Sequence, residues 1–191
     1  MQEFVLNHVR AYWTAQVFTP ESMGDNSVPK YSFTAIVSKD HPQIDALRQT
    51  AGKVAKERFS STIGLSWPFI DADAHKDTTK HPELKNSYTI RASSKFKPPF
   101  IDMYGNELRE DDGKLFPGCY VNLHLKFFTY ERNGHKGVGS ILLGGQATGD
   151  GEPFGKVSTA TLPFKILPKP AAQNNEELGW PFSLDNDDID I

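Results

Sequence analysis

Between Cys119 and Arg132 the chain alternates with a period of two. Val121, Leu123, Leu125 and Phe127 are apolar, whereas the intervening Tyr120, Asn122, His124, Lys126, Phe128, Tyr130 and Arg132 are polar, basic or aromatic. Successive strand side chains point to opposite faces, so this stretch predicts a strand with one core face and one chemically unusual outer face. The turn NGHKG at 133–137 and the glycine-broken run that follows, to residue 148, predict its hairpin partner. Residues 4–18 and 31–37 are rich in β-branched and aromatic residues, with two prolines and a glycine between them, which predicts two strands joined by a long loop. YTIRASSK at 88–95 reads as another strand, and VSTATLPFKIL at 157–167 as a last apolar segment.

Helical spacing occurs in one place. Ile44, Leu47, Ala51, Val54 and Ala55 recur on one face, Asp40 can cap the N-terminus, and Pro42 suits the first turn, so an amphipathic helix is expected over about residues 41–58. Residues 60–86 carry no clear period. The fold class that follows is mainly β: an elaborated OB-fold barrel with one amphipathic helix, long loops and a disordered acidic C-terminal tail. A sandwich of similar strand count fits the same pattern. The expected division is a domain over 1–170 and a tail over 171–191, where periodicity is lost.

Charge sharpens that division. The 191 residues carry a formal net charge of −3, but Glu176, Glu177, Asp185, Asp187, Asp188 and Asp190 place six of the 24 acids in a tail without Lys or Arg. The remaining 18 acids face 21 Lys and Arg, so a body of about +3 carries a tail of −6. A single cysteine, Cys119, excludes an intramolecular disulfide and a cysteine-based zinc site. The absence of a long apolar run and of a basic leader reads as a soluble cytoplasmic protein with no membrane partner.

The outer face of 119–132 points to a ligand. Aromatic rings stack on unpaired bases and cations beside them neutralise phosphates, so Lys126, Phe128, Tyr130 and Arg132 suit a single-stranded nucleic acid. Arg91, Lys95, Phe96 and Lys97 offer the same chemistry at the end of a second strand, and Arg10 and Tyr12 on the first are weaker candidates. Trp13 is expected in the core, because large aromatics are buried on average. The contrasting reading, in which these rings are covered by a neighbouring element, stays open on sequence alone.

Catalytic and metal motifs fail in detail. DADAHKD at 71–77 resembles the start of a calcium loop, but Lys76 stands where glycine is required and Pro82 where glutamate is required. GDGEPFGKV lacks the glycine spacing and the Ser or Thr of a phosphate loop. The six histidines form no HExxH or HxH pair, and no GxSxG elbow exists. No cofactor, metal or catalytic residue is assigned; an Asp71/Asp73 pair holding Mg²⁺ for a nuclease is a remote alternative.

WPFIDADAHK, YTIRASSKFKPPFID and FPGCYVNLHLKFFTYERNGHKGVGSILLGGQATGDGEPFG resemble, in order and spacing, the phage-encoded OB-fold single-stranded DNA-binding proteins. KYSFTAIVSKD followed by a helix resembles their early segment. The resemblance covers about residues 1–165 and is most specific over 88–155. It implies a non-enzymatic protein that coats single-stranded DNA in phage replication, recombination or repair, in the cytoplasm of an infected bacterial host. It also implies that the acidic tail recruits phage or host replication and recombination proteins, here through Asp185, Asp187, Asp188, Ile189, Asp190 and Ile191. This tail ends Asp-Ile-Asp-Ile rather than in phenylalanine, so the partner is not specified, and a homodimer stays open. The competing class is a structural or interaction β-module whose aromatic face is an assembly surface.

Overall fold

A computed structural model describes residues 1–154 except 23, 25 and 26. The apolar segment 157–167, the boundary at 170 and the acidic tail lie outside the described residues. Seven strands form one sheet: β1 (Gln2–Trp13), β2 (Tyr31–Ser38), β3 (Phe69–Asp71), β4 (Ser87–Ser94), β5 (Phe100–Ile101), β6 (Tyr120–Arg132) and β7 (His135–Gly149). Helix α1 spans Ile44–Lys56, and a single-turn helix α2 spans Ala72–His75.

The sheet closes on itself. β1 pairs antiparallel with β2 and β6, β2 with β4, and β6 with β7. β4 then meets β7 in parallel at Ser93 and Ile141, and Ser140 Oγ donates to the Arg91 carbonyl at 2.7 Å. The ring β1-β2-β4-β7-β6 is a five-stranded barrel of OB-fold type, which removes the edges a sandwich would leave. β3 covers the first half of the free side of β4, and β5 extends β7.

The alternation read in β6 positions the core. Val121, Leu123, Leu125 and Phe127 are fully buried and meet Leu6, Val9, Phe33, Ile90, Val138 and Leu142 from the other walls. α1 closes the barrel with Ile44, Leu47, Ala51, Val54 and Ala55, the five residues whose spacing predicts it. Each large buried aliphatic contributes about 1.5–3 kcal/mol, so the helix is held by its packing and not by its caps.

Its start differs from the expectation. Asp40 is not the N-cap, because its carboxylate accepts from Asn86 Nδ2 at 2.8 Å, and the helix begins after Gln43, whose N–H is taken by His41 Nδ1 at 3.2 Å. Residues 60–86 are also less irregular than expected, since they contain β3, α2 and a 3-10 turn at Pro82–Leu84. Ala72 and Leu84 from this insertion pack on Ile36, on the outside of the barrel.

β1 carries two bulges. Between Leu6 and Val9 the register with β6 slips by one residue, and His8 there has φ 50°. Between Ala11 and Trp13 the register with β2 slips again. A bulge inserts one residue and re-aims the side chains beyond it, which decides where Trp13 points. Among the described residues no helix is long and apolar enough to cross a membrane.

Candidate nucleic-acid interface

The site is built on the β6–β7 hairpin. Phe128 and Tyr130 lie on its outer face with ring centroids 6.4 Å apart, opposite Gly139 and Gly137 in the ladder. A Cβ at Gly139 would stand 2.7 Å from Phe128 Cζ, and one at Gly137 would stand 2.9 Å from the Tyr130 hydroxyl. The glycines are therefore the flat beds on which the two rings rest, which explains a glycine-broken strand that still pairs along its length.

Beside Phe128 opens a cleft of about 380 Å³ lined by Lys30, Ser93, Ser94, Lys95, Phe96 and Ile141. Phe96 is 82% exposed at the rim, flanked by exposed Lys95 and Lys97, with Lys97 Nζ 6.0 Å from the centroid of the Phe18 ring. A second cleft, about 570 Å³, lies further along the sheet and is lined by Trp13, Gln16, Glu21, Thr34, Ile70, Lys76 and Arg91 among others. Both clefts flank the β1–β2 loop, whose arms are tied by mutual backbone hydrogen bonds of Glu21 and Lys30 at 3.0 Å. Arg91 and Ser93 stand two residues apart on β4, one in each lining, so the two clefts open on the same face of that strand. Arg91 Nη2 reaches Ser32 Oγ at 3.4 Å, which holds the guanidinium over the strands.

Trp13 is not core. It is 51% exposed in the larger cleft, because the bulge after Ala11 turns it to the outer face beside Thr34, the ladder neighbour of Arg91. Alternation counted from Val9 and Ala11 places it inside; only the inserted residue reverses that. Arg10 and Tyr12 share the outer face; Tyr12 also lines the larger cleft, whereas Arg10 does not and is held by the 118 and 152–154 segments. Arg10 donates from Nε to the Gly118 carbonyl at 3.2 Å and from Nη2 to the Glu152 carbonyl at 2.6 Å, with the Phe154 ring 4.2 Å from the guanidinium. Tyr12 packs against Phe154 at 6.3 Å, and this burial raises its phenol above the ordinary range.

Lys126 stands on the predicted face but is engaged. Its ammonium pairs with Glu3 at 3.2 Å, and His124 Nε2 meets the same carboxylate at 3.1 Å. These two partners, Lys126 first, hold the Glu3 carboxyl below its usual value. Arg132 is exposed at the hairpin tip, beyond the Lys136–Glu131 pair at 3.0 Å. The structure thus places Tyr12 and Arg91 in the larger cleft and Lys95, Phe96 and Phe128 at the smaller, with Tyr130 beside Phe128 and Lys97 at the margin, and sets Arg10, Lys126 and Arg132 apart. The tail residues Asp185, Asp187, Asp188, Ile189, Asp190 and Ile191 lie outside the described residues.

The Asp71/Asp73 pair holds a lysine. Lys39 Nζ sits 2.8 Å from Asp71 Oδ1 and 2.8 Å from Asp73 Oδ2, which depresses both carboxyls and raises the ammonium. Asp71 also caps α2 by accepting from the Asp73 N–H, so the pair fastens the 69–86 insertion to the barrel. Among the described residues no group of three His, Cys, Asp or Glu side chains is placed to hold a metal ion.

Residues 2–178 match the family model described as the single-stranded DNA-binding protein of Enterobacter phage Enc34. A curated relative, protein p50 of Acyrthosiphon pisum secondary endosymbiont phage 1, is 36% identical over 157 residues, covering 78% of this chain and 84% of that protein. Among solved structures, the single-stranded DNA-binding protein from bacteriophage Enc34 in complex with single-stranded DNA superposes with a TM-score of 0.70 at 22% identity, over 80% of this chain and 89% of that one. The single-stranded DNA-binding protein gp2.5 of bacteriophage T7 gives 0.60 at 12% identity, over 78% and 92%. At these identities the structures speak for the fold, while the family model spans nearly the whole sequence. The chain belongs to the Enc34 single-stranded DNA-binding protein family.

Proposed function

We propose that this protein binds single-stranded DNA without sequence preference and without catalysis, in one groove that joins the two clefts along the β4 face. The observation that carries the reading is the composition of that groove. Trp13 and Arg91 stand at one end and Lys95, Phe96, Phe128 and Tyr130 at the other, on the face and beside the loops that OB-fold barrels use for oligonucleotides. Rings stack on bases of any identity, and cations meet phosphates regardless of sequence, so the pattern favours coating over readout. Family membership supports the same reading and a place in phage DNA replication, recombination or repair, in the cytoplasm of an infected bacterium.

The acidic tail has a role that follows from charge. Six carboxylates tethered to a basic groove sit at high local concentration and imitate a phosphate backbone, so they compete with DNA and become free for replication and recombination proteins once DNA is bound. One experiment addresses groove and tail together: titration of oligo-dT against the full chain and a chain stopped at Pro170, over a range of salt. The logarithm of affinity is expected to fall with the logarithm of salt by about 0.7 per neutralised phosphate. The shortened chain is expected to bind severalfold more tightly at low salt, with the difference fading as screening shortens the range of the tail charges. Salt-independent binding would sink the groove reading, and equal affinity of the two chains at low salt would sink the competition.

A further inference from the structure

The outer face of the β1–β2–β4 wall does not end at the groove. Ala72 and Leu84 cover Ile36 there, with Tyr12 and Phe154 packed against them. On the far side of this ridge lies a separate cleft of about 290 Å³, lined by His8, Arg10, Ser38, Lys85, Asn86 and Tyr120 among others.

The chemistry of this cleft is that of a nucleotide site. The His8 and Tyr120 rings are stacked at 4.4 Å with an interplanar angle of 3°, and the Arg10 guanidinium stands 5.6 Å from the centroid of the same tyrosine. His8 is exposed, and it is a non-glycine residue at φ 50°, fixed there by the β1 bulge and by its N–H donating to Asn122 Oδ1 at 2.9 Å. Left-handed backbone at a non-glycine residue persists only where its surroundings impose it, and such positions gather at ligand clamps. Here it aligns the imidazole with the phenol ring. Arg10 is held by two carbonyls, which orient its charge without cancelling it, and Lys85 supplies a second cation. Two lining groups do not serve a phosphate: Glu83 pairs with His81 at 3.2 Å, and His41 is held by the Asn7 carbonyl and the Gln43 N–H.

We propose that this cleft is an additional subsite for the DNA strand. A base stacks on the outward face of His8, and the adjoining phosphate meets Lys85 and Arg10. A strand long enough to cross the Leu84–Phe154 ridge occupies both the groove and the subsite; a short one occupies the groove alone. The inference rests on the groove reading above.

The test uses the full chain and two variants, His8→Gly and Lys85→Ala, titrated with oligo-dT of about 6 and about 20 nucleotides, lengths that bracket the occupancy of one OB fold. Glycine is chosen at position 8 because it accepts the positive φ while removing the ring, and thermal unfolding of each variant confirms the fold. Both variants are expected to lose about tenfold on the longer strand and to stay within about twofold of the parent on the shorter one, as for the loss of one stacked base or one phosphate contact. Parental affinity of both variants for both lengths overturns the subsite, as does an equal loss on both. Failure of the parent to bind either length would instead overturn the groove reading beneath it.

Discussion

Replacing Phe128 and Tyr130 together with alanine is expected to weaken oligo-dT binding at least about 30-fold, since each ring that stacks on a base contributes about 1–3 kcal/mol. The fold should survive. Both rings lie on the outer side of the hairpin over Gly139 and Gly137, so their removal opens no cavity among the buried Leu125, Phe127 and Leu142. The expected cost in stability is about 1 kcal/mol or less, as for other surface substitutions, and is read from thermal unfolding. Single variants should each lose part of the affinity, and Gly139→Ala should imitate Phe128→Ala in part, because its new Cβ would displace the ring. A doubly substituted protein that unfolds normally and binds like the parent would remove the hairpin from the interface.

Trp13→Ala is the second large effect. The indole is the largest exposed ring in the groove, on the β2 side of Arg91, and its loss is expected to reduce affinity about tenfold. It also supplies a signal of its own. Trp67 is half-buried and stacked on Phe69 with centroids 5.8 Å apart, so it is shielded from a ligand. A base arriving on Trp13 changes the environment of an exposed indole, and in a chain stopped at Pro170, which lacks the third tryptophan, Trp180, DNA-induced quenching of tryptophan fluorescence should fall sharply in this variant. Full quenching retained in the shortened Trp13→Ala chain would place the strand elsewhere.

The hairpin was the most legible part of the molecule. Alternation through β6 needs only the two-residue period of a strand, and each of Val121, Leu123, Leu125 and Phe127 is where that period puts it. The face of α1 followed from its own spacing in the same way. Its cap did not, because Asp40 is claimed by Asn86, 46 residues later, and such a contact exists only once the barrel has formed. Trp13 was misplaced for a related reason. Its direction depends on a bulge, and a bulge is a property of two paired strands rather than of one.

Lys126 and Arg10 show a further limit. Both lie on outer faces, as the pattern indicates, yet Glu3 and the 152–154 segment reach them across 123 and 142 residues. Charge in a sequence locates a cation without naming its partner. Conversely, Lys30 comes beside Phe128 only through the pairing of Tyr31 with Ser94 of β4, 63 residues later, and nothing in its own neighbourhood signals it. Sequence therefore reads the chemistry available on each strand, whereas assembly decides which of it converges.

In the proposed mode the groove recognises unpaired bases by stacking, with phosphates held as a secondary feature. Duplex DNA presents the same phosphates but hides the faces of its bases. Competition measures this directly: labelled oligo-dT is bound to the full-length protein at physiological salt and challenged with unlabelled oligo-dT or with a duplex of equal length. Single strand should displace the label at near-equal concentration, and duplex should require at least about 30-fold more, the smallest margin that two lost stacking contacts would give. Displacement by duplex and single strand at the same concentration would contradict the account.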